Sequence, residues 1–304
     1  MSNTICLDER YSTTKLLTKK KPEIVKNGEG KFQSVLFLPE AEGRKGEGGL
    51  RAKGYFKKSY EDKPLVSIIT VVYNGEKFLE ETIQSVISQT YENVEYIIID
   101  GGSTDGTLDI IKRYEDKIDY WISEKDKGIS DAFNKGIVCA SGDIIGLINA
   151  DDYYEQGAFS NIIDCYLDVF VKNPIIIYGQ TNRITLNGKK MIKKDNQLGW
   201  YMSVPFSHCS SFATMNYYKN FGLFDNKFRI AMDVDLLMRG LNLSNYIKLE
   251  VFIATQRDGG VSDWNRLKGY KEYREVAKSH LGVVLSYFGY VIKVVVFYKN
   301  KVFK

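Results

Sequence analysis

Between residues 64 and 150, strand-like hydrophobic runs alternate with segments whose apolar residues have helical spacing. Long β-branched runs, typical of strands buried on both faces of a parallel sheet, occur three times: LVSIITVVY at 65–73, VEYIIID at 94–100 and DIIGLIN at 143–149. Between them, GEKFLEETIQSVISQ and GISDAFNKGIVCA place apolar residues at helical spacing, and DYWIS at 119–123 predicts a further short strand. Because strands and helices alternate, we expect an α/β fold with a mostly parallel central sheet and helices on both faces.

The pattern changes outside this region. The N-terminal segment is rich in Lys and Gly and contains one strand candidate, SVLFLP at 34–39. Further along, PIIIYGQTNRITLNGKKMI at 174–192 predicts a β-hairpin that turns at Asn187 and Gly188. The chain is expected to comprise an N-terminal extension (1–63), the alternating half (64–170), a second half (171–263) and a basic, apolar helical tail (264–304).

Composition and charge narrow the function classes. The 304 residues are 44% hydrophobic and 26% charged, as in a globular protein with a sizeable core. A net charge of +4 is too small to indicate nucleic acid as a partner. The four cysteines show no CxxC spacing, which favours free thiols over a disulfide framework or a zinc site. The first residues, MSNTICLDER, lack an apolar segment, so we expect a cytoplasmic protein.

Acidic residues follow several of the predicted strands. Asp100 closes one strand, Asp126 follows the next, and Asp151 and Asp152 close a third. Ligands of open α/β sheets bind at this edge, and carboxylates gathered there repel each other unless a cation or a donor-rich ligand lies among them. Magnesium takes one or two carboxylates plus phosphate oxygens, so a nucleoside diphosphate with a metal ion would satisfy all of these acids. The alternative is that they only form turns and helix caps.

Three motifs, in this order along the chain, carry a family resemblance: PLVSIITVVYNGEKFLEETIQSVISQTYENVEYIIIDGGSTDGT, SEKDKGISDAFNKGI and GDIIGLINADD. Together they resemble the nucleotide-sugar half of family 2 glycosyltransferases, which have the GT-A fold. The likeness extends from Pro64 to Ser262. It implies inverting transfer of a sugar from a nucleotide-diphosphate donor, with Mn²⁺ or Mg²⁺. It also makes 64–170 the donor-binding half and 171–263 the half that binds the acceptor and carries the catalytic base.

The resemblance assigns donor-binding roles to the strand ends. Tyr73 and Asn74 end the first strand beside the nucleobase. Asp100 matches the acid that reads the base, and Asp126 lies in the loop that closes over the nucleoside. Arg257, in the segment RDGGVSD, would supply charge to the pyrophosphate, although an ordinary glycine turn explains that segment equally well.

The same resemblance places the metal. Asp151 and Asp152 match the DxD-type motif, the first near the ribose and the second on the ion. Asn149 stands where many members carry the first Asp, so metal binding rests on Asp152, together with Asp151. His208 lies in a stretch that approaches the diphosphate and metal in relatives, although a lone His is as often a packed polar residue.

The segment FRIAMDVDLLMRG places the predicted base. Asp233 matches the catalytic Asp at the start of a helix, where it would take the proton of the attacking hydroxyl. Asp235 lies about 200° further around the helix and is expected to pair with Arg239 instead. The simpler alternative is that Asp233 is only an N-cap.

The apolar part of the tail, 281–304, is interrupted by Lys293 and carries several basic residues. It would suit peripheral contact with the inner face of a membrane, whereas packing on the domain or in a homodimer explains its apolar content equally well. The overall hypothesis is a hexosyl- or N-acetylhexosaminyltransferase that moves a sugar from a UDP-sugar to a glycan or lipid-linked acceptor in surface polysaccharide synthesis, such as O-antigen. Two alternatives remain: a sugar nucleotidyltransferase, and a non-catalytic nucleotide-sugar-binding scaffold subunit.

Overall fold

The computed structural model describes residues 4–23, 31–169, 174–193, 204, 206–241, 243–260 and 265–302. Its centre is one ten-stranded mixed sheet with the order β1-β4-β3-β2-β5-β9-β7-β10-β6, and β8 pairs with β7 alone. The strands are β1 Gly46–Gly48, β2 Val66–Val72, β3 Val94–Asp100, β4 Tyr120–Ser123, β5 Ile144–Asn149, β6 Tyr153–Tyr154, β7 Ile175–Ile184, β8 Lys190–Lys193, β9 Ser211–Thr214 and β10 Asn245–Arg257.

Helices cover both faces of this sheet, as the alternating pattern predicts. Successive β2 residues point to opposite faces: Ile69 packs in one hydrophobic cluster with α3, α6 and α7, and Ile68 packs in the other with α1, α2 and α4. The helices are α1 Leu79–Ile87, α2 Thr107–Arg113, α3 Ile129–Cys139, α4 Ala158–Val169, α5 Met215–Phe221, α6 Met232–Arg239, α7 Arg266–Leu281 and α8 Val283–Val302.

The strands β4, β3, β2 and β5 are parallel neighbours, which confirms the predicted parallel half. The register pairs Val72 with Asp100 and Val71 with Asn149, so the carboxyl ends of β2, β3 and β5 lie at one edge. Because neighbouring strands are about 4.8 Å apart, Asp100 and Asn149 are separated across β2 by about 10 Å.

The second half of the sheet is mixed. Strand β9 runs antiparallel between β5 and β7, and β10 is parallel to β7. The predicted hairpin is confirmed: β7 and β8 are antiparallel, with Ile184 opposite Lys190. The amide of Gly188 donates to the carbonyl of Thr185 (2.8 Å), and Gly188 has a φ of +80°, which its missing side chain permits.

Described residues of the N-terminal extension pack against the sheet. Strand β1 pairs with β4, and Arg51 is buried with its Nη2 2.5 Å from Glu95 Oε1. The predicted strand at 34–39 is wrong, because this segment has no strand pairing. Its side chains are apolar because Phe37 and Leu38 pack on the core beside α3. A backbone hydrogen bond from the amide of Val35 to the carbonyl of Val138 also attaches the segment to the end of α3.

The C-terminal region forms two helices, α7 and α8, which confirms the helical tail. Tyr273 and Val276 of α7 belong to the core cluster beneath α6. Within the described ranges, no helix combines the length and the apolar character that crossing a bilayer requires.

Candidate active site

The loops after β2 and β3 are tied together by Asp100. Its side chain is fully buried and accepts hydrogen bonds from the amide and hydroxyl of Ser103 and from the hydroxyl of Ser123 (2.5 Å). The Ser103 hydroxyl in turn accepts the amide of Asn74 (2.7 Å), while Asn74 Oδ1 accepts the amide of Thr104 (2.8 Å). Asn74 holds a left-handed φ of +52°. Asp100 and Asn74 therefore shape the loop, and both oxygens of Asp100 already have donors.

A second carboxylate, Asp126 in the loop after β4, lies beside the glycine turn that follows Asp100. A Cβ placed on Gly101 would come within 2.5 Å of Asp126 Oδ2 and 3.5 Å of the Tyr73 ring, so the absence of a side chain at 101 makes room for Asp126. Burial raises the pKa of Asp126, while its Oδ1 accepts the amide of Gly128 (2.7 Å). The Tyr73 ring is 65% exposed. Tyr73 and Asp126 thus both lie over Gly101.

The acidic pair after β5, Asp151 and Asp152, contains a carboxylate oxygen that accepts no hydrogen bond from the described residues. Asp152 is 1% exposed and its Oδ1 accepts the amide of Arg257 (2.9 Å). Its Oδ2 is buried and has no hydrogen-bond partner among the residues that the structure describes. Burial, followed by repulsion from Asp151, raises the pKa of Asp152 to about 8. A carboxylate in this state is destabilised as an anion until a cation or a proton reaches it.

Arg257 holds this acidic loop in place. Its Nη1 donates to the carbonyl of Asp151 (2.5 Å), and its guanidinium forms an ion pair with Glu81. The guanidinium also lies 4.6 Å from the ring centroid of Phe78 and 5.1 Å from that of Tyr153. These contacts position Arg257 as the clamp of the Asp151–Asp152 turn.

His208 contacts the end of β5 and lines a cavity with residues of α6. Its Nε2 is 3.2 Å from the side-chain nitrogen of Asn149, the last residue of β5. Burial lowers the pKa of His208, and the Asp233 carboxylate opposes that effect. The imidazole is therefore neutral near pH 7, and Nε2 can accept the Asn149 N–H.

Asp233 lines the same small cavity as His208, together with Leu147 and Tyr217. The interpretation of Asp233 as only an N-cap is wrong, because Ala231 occupies the N-cap and Asp233 is the second residue of α6. Its Oδ1 accepts the neighbouring amide of Val234 (2.8 Å).

The predicted partner of Asp235 is confirmed. Arg239 Nη2 is 2.7 Å from Asp235 Oδ2, and the Nε2 of His280 from α7 lies 3.5 Å from Oδ1. Asp235 is therefore directed away from Asp233 and joins α6 to the tail, as its position on the helix predicts.

Sequence reasoning missed two lysines. Lys193 on β8 lies close enough to influence the pKa of both Asp152 and His208, and its Nζ donates to Gln256 (2.6 Å). No spacing rule reveals it, because the hairpin brings it to the site from a distant segment. Lys293 on α8 faces Asp233, and its isolated charge in an apolar run was the available signal.

Mn²⁺ and Mg²⁺ favour oxygen ligands, and the residues around Asp152 supply few of them. Among the described ranges, no group of three or more His, Cys, Asp and Glu could enclose a metal by itself. The orphaned Oδ2 of Asp152, with Asp151 and a neutral His208 nearby, fits an ion that takes one or two protein ligands and completes its shell with diphosphate oxygens. The residues present therefore fit a divalent ion that arrives with a nucleotide.

Comparisons of sequence identify the relatives of this chain. The profile described as Glycosyl transferase family 2 matches residues 67–221. An uncharacterised glycosyltransferase of Rickettsia typhi is 30% identical over 222 residues, 69% of each chain. The Dolichyl N-acetyl-alpha-D-glucosaminyl phosphate 3-beta-D-2,3-diacetamido-2,3-dideoxy-beta-D-glucuronosyltransferase of Methanococcus voltae is 33% identical over 190 residues, 57% of each chain.

Two solved structures share the fold. Residues 1–349 of Staphylococcus aureus TarS in complex with UDP-GlcNAc match with a TM-score of 0.55 and 18% identity, over 70% of this chain and 65% of that one. The mannosyltransferase PcManGT of Pyrobaculum calidifontis, in complex with GDP-Man and Mn²⁺, matches with a TM-score of 0.53 and 15% identity, over 77% and 75%. The matched region thus spans about two-thirds of the TarS segment.

Proposed function

The chain belongs to glycosyl transferase family 2, and we propose that it is an inverting glycosyltransferase that moves a sugar from a UDP-linked donor to a hydroxyl of a lipid-linked glycan in polysaccharide synthesis. One observation supports this most strongly. A buried carboxylate oxygen of Asp152 has no partner among the described residues, and the carboxylate of Asp233 lines a cavity with His208, whose ring contacts Asn149 at the end of β5. The first is suited to a cation beside the diphosphate, and the second to the proton of an acceptor.

The donor base contacts Asp126 and Tyr73 in this proposal. Asp100 has both oxygens engaged and no exposed surface, so contact with a base would require it to give up a serine. Asp126 lies over Gly101 and has one oxygen held by Gly128, which leaves Oδ2 for an N–H of the base. Tyr73 supplies an exposed aromatic face for stacking. Asp100 then supports the loop from beneath.

Asp152 would hold the metal ion, with Asp151 and His208 beside it. When bound, the ion supplies positive charge that stabilises the diphosphate leaving group. Lys193 adds a protein cation on the same side, because it lies within electrostatic reach of Asp152 and His208. The relative from Pyrobaculum calidifontis was solved with GDP-Man and Mn²⁺, and that likeness supports a divalent ion here.

Asp233 acts as the base. The acceptor oxygen attacks the anomeric carbon from the face opposite the diphosphate, its proton passes to an Asp233 oxygen, and the bond from the anomeric carbon to the phosphate oxygen breaks. The apolar lining of Leu147 and Tyr217 around Asp233 limits competing water. Inversion follows from this one-step displacement.

A donor screen tests the proposal. The protein is incubated with UDP-, GDP- and dTDP-sugars in Mn²⁺, and release of the nucleoside diphosphate is measured with and without a lipid-linked glycan acceptor. We expect release of UDP from UDP-sugars. This release should be slow when no acceptor is present, since it then reflects hydrolysis, and faster when the acceptor is added. Nucleotide binding with no release from any donor would support the scaffold alternative, and release from a GDP- or dTDP-sugar alone would overturn the choice of UDP.

A further inference from the structure

Helix α8 carries an apolar stripe that faces away from the protein. Its members are between 51% and 82% exposed and recur at spacings of four and three residues, which places them on one face of a helix: Val284, Phe288, Val291, Val295 and Tyr298. Exposed apolar residues scattered singly are ordinary, whereas a continuous stripe along a whole helix marks a contact surface.

The charges around the stripe indicate what covers it. Helix α8 contains Lys293, Lys299 and Lys301 and no acidic residue. Residues 265–302 together carry eight Lys or Arg and two Glu, Glu272 and Glu275. Both acids are engaged, since Glu272 accepts backbone amides at the start of α6 and Glu275 pairs with Arg274. A second copy seated on α8 would bring two basic regions together, whereas an anionic lipid surface would be attracted.

The inner side of the same helix faces the catalytic region. Lys293 points inward, with its Nζ 3.5 Å from the ring centroid of Tyr273, and the Asp233 carboxylate acts on its pKa. Glu272 of α7 accepts the amides of Ile230 and Ala231 (2.7 and 3.1 Å), at the point where α6 begins. The outer stripe of α8 is therefore linked to Asp233 through one layer of packed helices.

We propose that α8 lies in the headgroup region of an anionic bilayer, with the apolar stripe inserted and the exposed Lys299 against lipid phosphates. Resting on the proposed function, this placement brings Asp233 to the plane in which a lipid-linked acceptor arrives. The helix lies along the membrane in this arrangement, consistent with its apolar face and basic flanks.

Vesicle flotation tests the surface without any substrate. The full chain is mixed with vesicles of phosphatidylcholine alone or with phosphatidylglycerol, and the bound fraction is measured at low and high salt. We compare the wild type with the double variant Phe288→Glu/Val291→Glu and with Leu243→Glu, which alters an exposed apolar residue elsewhere. Circular dichroism and the melting temperature establish that each variant is folded.

We expect the wild type and Leu243→Glu to bind phosphatidylglycerol vesicles, with weaker binding at high salt. The binding of the double variant should be weaker by at least roughly ten-fold, because two apolar side chains are lost from the membrane. The proposal is overturned if the wild type does not bind vesicles, or if the folded double variant binds them equally well. It is also overturned if the wild type is a dimer, the double variant is a monomer and neither binds vesicles. UDP binding is measured separately, so vesicle binding without nucleotide binding would contradict the proposed function and leave the membrane surface intact.

Discussion

The imidazole Nε2 of His208 lies 3.2 Å from the side-chain nitrogen of Asn149. Because burial lowers the pKa of His208, the ring is neutral and accepts the amide proton. The family resemblance implies that Asn149 stands where many members carry the first acid of their metal motif. In this chain its side chain contacts a histidine, and the acidic residues that follow β5 are Asp151 and Asp152.

Restoring the missing acid should strengthen metal binding. Asn149→Asp adds a carboxylate beside the acidic turn, and the apparent affinity for Mn²⁺ in the presence of UDP should rise roughly ten-fold, since hard divalent ions favour an additional oxygen anion. The measurement is a Mn²⁺ titration followed by electron paramagnetic resonance. Asn149→Ala is the control and should show no gain. An unchanged Mn²⁺ affinity in Asn149→Asp would place the metal elsewhere.

Asp126 and Asp100 should respond differently to the same substitution. Asp126→Asn should weaken UDP binding by about ten-fold, since a hydrogen bond to a charged group contributes about 1.5–3 kcal/mol. Asp100→Asn should mainly lower the melting temperature, because the buried carboxylate satisfies Ser103 and Ser123. Calorimetric titration with UDP and a thermal melt separate the two effects. The assignment of the base contact fails if Asp100→Asn, still folded, loses UDP affinity and Asp126→Asn keeps it.

Asp233→Asn should leave donor affinity nearly unchanged while turnover falls by roughly 10²-fold or more, the usual loss on removing a general base. The matched control is Asp235→Asn on the same helix, which removes the ion pair with Arg239. That variant should lose stability and retain turnover within a few-fold. Steady-state kinetics with a UDP-sugar and acceptor provide the comparison, and full turnover by Asp233→Asn would show that another group takes the proton.

Lys293 should make stability depend on pH. Burial lowers the pKa of Lys293 from 10.5 to about 8 in the folded chain. Between these two pKa values the unfolded chain binds the proton and the folded chain does not, so the stability of the fold rises with pH through this window. Below pH 8 the buried Lys293 is charged, and its full destabilising effect is present. Lys293→Met should therefore raise the melting temperature at pH 7.5, and the gain should shrink towards pH 10.

The exposed Lys299→Met is the control for that experiment and should show little pH-dependent difference from the wild type. Thermal melts of the three proteins from pH 7 to pH 10 give the comparison. A lower melting temperature for Lys293→Met at pH 7.5 would mean that the contact of Lys293 with the Tyr273 ring outweighs its burial.

Much of the fold could be predicted because its parallel half obeys local rules. The runs that became β2, β3 and β5 are buried on both faces, and the hairpin turns at a glycine that accepts a positive φ. The strand predicted at 34–39 is absent, since apolar residues can pack on a core equally well without strand pairing. Chain periodicity cannot distinguish these two situations.

The site could be predicted as far as the ends of the parallel strands. Asp100, Asp151 and Asp152 follow from where these strands stop. The relation of Gly101 to Asp126 and the arrival of Lys193 depend on how distant loops meet in three dimensions, so no spacing in the sequence encodes them. The burial that isolates Asp152 Oδ2 is likewise a property of the packed chain.

The central claim is that Asp152 holds a divalent ion beside the diphosphate of a bound nucleotide. Calorimetric titration of UDP into the wild type and Asp152→Asn, each with Mn²⁺ or with EDTA, tests it most directly, with the exposed Asp164→Asn on α4 as the control. We predict that Mn²⁺ strengthens UDP binding at least roughly ten-fold in the wild type and in Asp164→Asn, and that Asp152→Asn loses this dependence. Equal UDP affinity with and without Mn²⁺ in the wild type, or an undiminished Mn²⁺ effect in Asp152→Asn, would contradict it.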